Sequence, residues 1–168
     1  MIKGRDVAFL GMMTAVAILA TYVERLLPSP VPSVPGIKLG IANVVILTLL
    51  YLFNAKKAFL VNITRIVLVG LMFSGVYGMM YALAGGIFSF GAMYLAKRSE
   101  KLSIVGVSIL GGIFHNVGQI LIAMAVLRTK ELVYYLPVLL VSGVMTGILV
   151  GLGAKQCIKA LKVYRVGK

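Results

Sequence analysis

Residues 58–96 read AFLVNITRIVLVGLMFSGVYGMMYALAGGIFSFGAMYLA, 39 residues with one charge, Arg65, among them. Lys56 and Lys57 precede the stretch, and Lys97 and Arg98 follow it. About 20 apolar residues carry a helix across a bilayer. A single span would use little more than half of this stretch, whereas two spans use all of it if the chain reverses inside. FSGVYG (73–78) offers the place, with two glycines for a tight turn and no charge to stop the chain earlier. The reversal returns both basic ends to one side of the membrane, the distribution that orients membrane proteins.

Working outward, further apolar runs fall at 7–23, 39–53, 102–127 and 132–154, beside 58–75 and 76–96. The chain of 168 residues is 61% hydrophobic and 12% charged, with mean hydropathy +1.05. Soluble domains run about 45–50% apolar and about 25% charged, and a chain this short has little interior in which to hide the excess. The expectation is an all-α integral membrane protein of six transmembrane helices, a single domain over 1–168. The N-terminus has a basic start and an apolar run but no clear small-residue cleavage site, so it reads as a retained first helix.

The net charge of +13 does not point to nucleic acid. Its cations punctuate apolar runs instead of forming a groove-sized patch. Lys3, Arg5, Lys56, Lys57, Lys97, Arg98, Lys101, Lys155, Lys159, Lys162, Arg165 and Lys168 fall on one side. Arg25, Lys38, Arg128 and Lys130 fall on the other. Twelve against four places both termini in the cytoplasm. The C-terminal KQCIKALKVYRVGK then extends the last helix along the inner headgroups. The outer loop LLPSPVPSVPGIK (26–38) holds four prolines in eight residues, too many for a helix. It reads equally as a cap over a cavity or as a rigid connector.

Arg65 lies about 12 Å into the hydrocarbon, counted from Lys57 at 1.5 Å per residue. A charge at such depth costs about 2.5–3.5 kcal/mol on insertion scales and marks a functional position by default. The chain has four acids, Asp6, Glu24, Glu100 and Glu131, none of them deep in a span. Only Glu24 is placed to approach Arg65, so amides, carbonyls or an anionic ligand remain as counterparts. Asn62 sits one turn from Arg65 on the same helix face. Asn43 comes from the second span. His115, Asn116 and Gln119 share a sector of the fifth by i,i+3 and i,i+4 spacing, with His115 about 21 Å from the Lys101 end. Together these residues form either interhelical glue or one wall of an outward-leaning ligand pocket with Arg65 at its floor. Lys38 and Glu24 would stand at the mouth.

Gly143, Gly147 and Gly151 stripe one face of the last span, and Gly11 with Ala15 does the same on the first. Small residues at this interval let helix backbones approach closely, within the bundle or against another membrane subunit. Catalysis is poorly supported. There is no GxxxxGK[ST] loop, no carboxylate to orient the single histidine, and no carboxylate cluster to hold magnesium. One cysteine, Cys157, excludes a disulfide framework and, with one histidine, a zinc site. No cofactor is expected.

The runs PGIKLGIAN (35–43), NITR (62–65), YALAGGIFS (81–89), GGIFHNVGQ (111–119) and YYLP (134–137) resemble a bacterial membrane family. It carries two descriptions, heptaprenyl diphosphate synthase component I and Gx transporter. The resemblance covers nearly the whole chain. It implies kinship with the substrate-binding S components of energy-coupling-factor (ECF) transporters: six helices, cytoplasmic termini, an outward pocket, and residence in the bacterial cytoplasmic membrane. It also implies docking on a membrane T component driven by two ABC ATPases. The Ala-x-x-x-Ala that S components use on their first helix is replaced here by Gly11 and Ala15. The leading expectation is a binding and transport subunit for a small anionic or isoprenoid-related molecule. The alternative is a non-catalytic membrane accessory subunit of polyprenyl diphosphate or menaquinone metabolism, or of quinone-linked electron transfer, with a prenyl synthase or redox partner.

Overall fold

The computed structural model describes residues 4–27 and 39–166. Lys38 and most of the proline-rich loop lie outside the described residues. Six α-helices follow one another: α1 (Gly4–Leu26), α2 (Ile41–Leu52), α3 (Ala55–Val69), α4 (Gly75–Arg98), α5 (Ile104–Leu127) and α6 (Leu136–Val166). A π-helical turn, Gly70–Ser74, joins α3 to α4, and a 3-10 turn, Lys130–Tyr135, precedes α6. No strand occurs among the described residues. Four helical stretches, Val7–Leu26, Ala55–Arg98, Ile104–Leu127 and Lys130–Lys162, are long and apolar enough to cross a membrane. The protein is therefore built as a multi-pass membrane protein. Its outward faces fit that medium, since Leu19, Leu71 and Val141 are 62–70% exposed.

The stretch 58–96 reverses where its glycines allow. Gly75 adopts φ 67°, a left-handed conformation that costs glycine little, and the π-turn ends there. The two arms then pack antiparallel. A Cβ on Gly86 would lie 2.5 Å from Ile66 Cδ1, and one on Gly70 would lie 2.6 Å from Met79. Glycine at both positions lets α3 and α4 close on each other.

α2 has 12 residues, about 18 Å of helix, and sits at the centre of the bundle. Ile46, Leu47, Leu49 and Leu50 are fully buried there with Val61 and Val107. Its N-terminus begins at Gly40 (φ 76°) and is capped from another helix. The Glu24 carboxylate at the end of α1 accepts hydrogen bonds from the Gly40 and Ile41 N–H groups at 2.6 and 3.1 Å. A carboxylate there satisfies two orphan donors and suits the positive end of the helix dipole.

The α5–α6 seam is made of glycine against backbone. A Cβ on Gly143 would meet the Gly112 backbone at 2.9 Å, one on Gly147 would meet Ile109 Cα at 2.6 Å, and one on Gly151 would meet Val105 Cα at 2.8 Å. These three glycines face α5, so the assignment of their stripe to docking a separate subunit is corrected: the face is already covered. Gly11 and Ala15 differ. Both are exposed, and a Cβ on Gly11 would touch nothing within 4 Å.

Candidate functional site

Arg65 is 9% exposed on the inner face of α3. One Nη2 donates to Asn43 Oδ1 of α2 at 2.8 Å and to Asn62 Oδ1, one turn away on α3, at 3.0 Å. Nη1 reaches Thr21 Oγ1 of α1 at 3.5 Å, a long contact. Nε is buried with no partner among the described residues. Asn62 is held in turn by its Nδ2, which donates to the Gly86 carbonyl of α4 at 3.2 Å. That bond turns Oδ1 toward the guanidinium. Every hydrogen-bond acceptor on Arg65 is thus neutral. Glu24, the one acid nearby, spends its two oxygens on the α2 N-terminus.

The guanidinium opens onto a cavity of about 290 Å³ enclosed by α1, α2, α3, the π-turn, α4 and α5. Its wall has two characters. Thr21, Asn43, Arg65, His115 and Gln119 form a polar side, and Ile66, Val69, Phe73, Met79 and Ala82 form an apolar one. Glu24 and Arg25 stand at its α1 rim. Arg25 donates to Ser74 Oγ and the Phe73 carbonyl, both at 3.2 Å, and its guanidinium lies 5.6 Å from the Phe73 ring centre. The π-turn is thereby tied to α1. π-turns of this kind recur at functional sites.

Of the residues singled out from the sequence, Arg65, Asn62 and Asn43 meet directly. His115 and Gln119 face them across the cavity, from a seam where Gly85 leaves room for both side chains. Asn116 points elsewhere: its Nδ2 donates to the Leu139 carbonyl at 2.6 Å and Ser142 Oγ at 3.2 Å, tying α5 to α6. Lys38 is outside the described residues. Thr21 and Arg25 were not foreseen. Thr21 lies one turn before Glu24, and that spacing was the signal for it.

Behind Asn43 and His115 lies a second, smaller chamber of about 40 Å³. Ser89, Ser108 and Thr146 line it, none of them anticipated. Among the described residues no three His, Cys, Asp or Glu side chains gather to hold a metal ion. The arrangement is suited to binding: a buried cation with spare donors, an amide frame and an apolar wall.

The family described as heptaprenyl diphosphate synthase component I matches residues 13–157, and the chain belongs to it. Its description, one component of a synthase, ties it to isoprenoid metabolism and implies a partner synthase subunit. No curated protein and no solved structure matches the chain.

Proposed function

We propose that this member of the heptaprenyl diphosphate synthase component I family is a non-catalytic membrane component that binds a phosphorylated isoprenoid. The anionic group meets Arg65, and the first isoprene units lie along Ile66, Val69, Phe73 and Met79. The observation that carries the reading is the Arg65 guanidinium, buried among neutral acceptors with Nε unpartnered and facing a cavity that is apolar on its other side. An anion there gains charge-assisted hydrogen bonds in a medium of low dielectric. At about 290 Å³ the cavity is at the small end of ligand sites. It suits a head and a short length of chain, with a longer chain passing out into the bilayer.

The topology that accompanies this reading has six passes and cytoplasmic termini. It is supported by the charges: Lys56, Lys57, Lys97, Arg98, Lys101, Lys155 and Lys159 gather at the end where α2, α4 and α6 finish and α3 and α5 begin. That basic end is where a soluble synthase subunit would dock. A second reading, an ECF-type uptake subunit docked on a T component with ABC ATPases, is favoured by the exposed Gly11 and Ala15 face of α1. Partners recovered with the tagged protein separate the two.

The test is native mass spectrometry of protein taken directly from membranes. Wild type should retain a phosphorylated isoprenoid, Arg65→Gln should lose it, and Arg65→Lys should keep part of it. A neutral lipid retained equally by all three would overturn the proposal.

A further inference from the structure

The chamber behind the ligand cavity presents a different problem. Ser89 and Ser108 are 4% and 3% exposed, yet neither hydroxyl makes a hydrogen bond to another described residue. Serines inside helices ordinarily bond back to the carbonyl one turn earlier, and these do not. Their oxygens stay open to the chamber, and hydroxyls so enclosed ordinarily find a protein or water partner. The remaining lining adds capacity. Thr146 Oγ1 spends its proton on the Ser142 carbonyl at 2.9 Å and keeps its lone pairs. Asn43 turns Oδ1 to Arg65, and its Nδ2 has no partner among the described residues.

The chemistry of this lining selects its occupant. A cation is disfavoured: no acid lines the chamber, and Asn43 on its wall holds a guanidinium. An anion is disfavoured too, because no Lys or Arg lines the space. What remains is a small neutral molecule that both donates and accepts. A water needs about 10–15 Å³ of such volume and two to four polar partners, so about three waters fit.

We propose that this chamber is an internal hydration site, and that its water positions the Arg65 acceptor. A water accepting from Asn43 Nδ2 fixes which way the amide faces, so that Arg65 meets Oδ1 and never the NH2 group. Asn43 and His115 line both the chamber and the ligand cavity, so the polar wall is reached from two sides. The polar wall survives in the membrane because water, and not lipid, backs it. Water in the chamber does not depend on which ligand fills the cavity.

Water-edited solid-state NMR on isotopically labelled protein in phosphatidylcholine bilayers tests it. Magnetisation should pass from water to the Ser89 and Ser108 Cβ signals at short mixing times, while lipid-facing Leu71 and Val141 stay dark. Ser108→Val should abolish the transfer at Ser89 and shift both the Asn43 Nδ2 and the Arg65 guanidinium nitrogen signals. Should that variant fail to fold, Ser108→Ala adds no bulk and is expected to shift Asn43 Nδ2 in the same direction. No transfer at either serine in folded wild type would overturn the hydration site. Serine signals that move on titrating sodium chloride would overturn it in favour of an ion. Transfer at the serines with unmoved Asn43 and Arg65 signals in the variants would overturn the positioning role.

Discussion

Replacing Asn62 by Ala should destabilise the free protein while strengthening its response to an anionic ligand. Asn62 makes two bonds in opposite directions, accepting from Arg65 at 3.0 Å and donating to the Gly86 carbonyl at 3.2 Å. The bond to Gly86 is a neutral interhelical contact, worth about 0.6 kcal/mol by the average for membrane proteins. A bond to a charged group is worth about 1.5–3 kcal/mol. Together they set a loss of about 2–3.5 kcal/mol for Asn62→Ala. The same change strips Arg65 of one of its two close acceptors and leaves Asn43 as the other. A phosphate oxygen can take the freed Nη2 donor, so the ligand recovers part of what the variant lost. Its affinity should rise by up to about tenfold, the equivalent of about 1.4 kcal/mol. The assay is thermal unfolding followed by circular dichroism, with and without farnesyl diphosphate. Wild type and variant are compared at equal ligand concentration, because stabilisation by a ligand grows with its affinity. A cost under about 0.5 kcal/mol for Asn62→Ala, a surface-like value, would refute the two-bond role of Asn62. Weaker stabilisation of the variant than of wild type by farnesyl diphosphate would refute the gain in affinity.

Other outcomes follow from the same geometry. Glu24→Gln keeps one of the two acceptor oxygens, turns an NH2 toward the other N–H of the α2 N-terminus and removes the charge, and should cost about 0.5–2 kcal/mol in thermal unfolding; Glu24→Ala removes the cap altogether and should cost about 1–2 kcal/mol without the donor clash. Gly147→Val puts branched carbon into backbone 2.6 Å away and should prevent α5 and α6 from closing, read as lost monodisperse protein on size-exclusion chromatography. Gly11→Leu lies on an open face and should change stability by less than about 0.5 kcal/mol. If that same variant abolishes recovery of a membrane partner, the uptake reading gains over the synthase-component reading.

The α3–α4 hairpin was legible because length and local chemistry agreed: a 39-residue, largely apolar stretch exceeds one span, and Gly75 supplies the reversal. Arg65 and Asn62 were legible as a pair because helical spacing alone puts them on one face. Asn116 was not, although its spacing to Gln119 is as good. Residues 115 and 116 diverge by about 100° around a helix, and which neighbour each meets depends on where α4 and α6 settle. Glu24 shows the same limit. Its role as a cap depends on α1 ending beside Gly40, a contact between helices separated by the proline-rich loop. The glycines of α6 announced a close approach without naming α5 as the element approached. Ser89 and Ser108 carried the weakest signal of all, since a lone serine in an apolar helix ordinarily satisfies itself.

The central claim is that Arg65 recognises the anionic group of an isoprenoid. Isothermal titration calorimetry of farnesyl diphosphate and farnesol into the detergent-solubilised protein measures it directly. The diphosphate should bind wild type at least about tenfold more tightly than the alcohol, the minimum expected for a charge-assisted bond of about 1.5 kcal/mol. Arg65→Gln should erase the difference, and Arg65→Lys should retain part of it. Equal binding of diphosphate and alcohol to wild type, or a preference that persists in Arg65→Gln, would contradict the account.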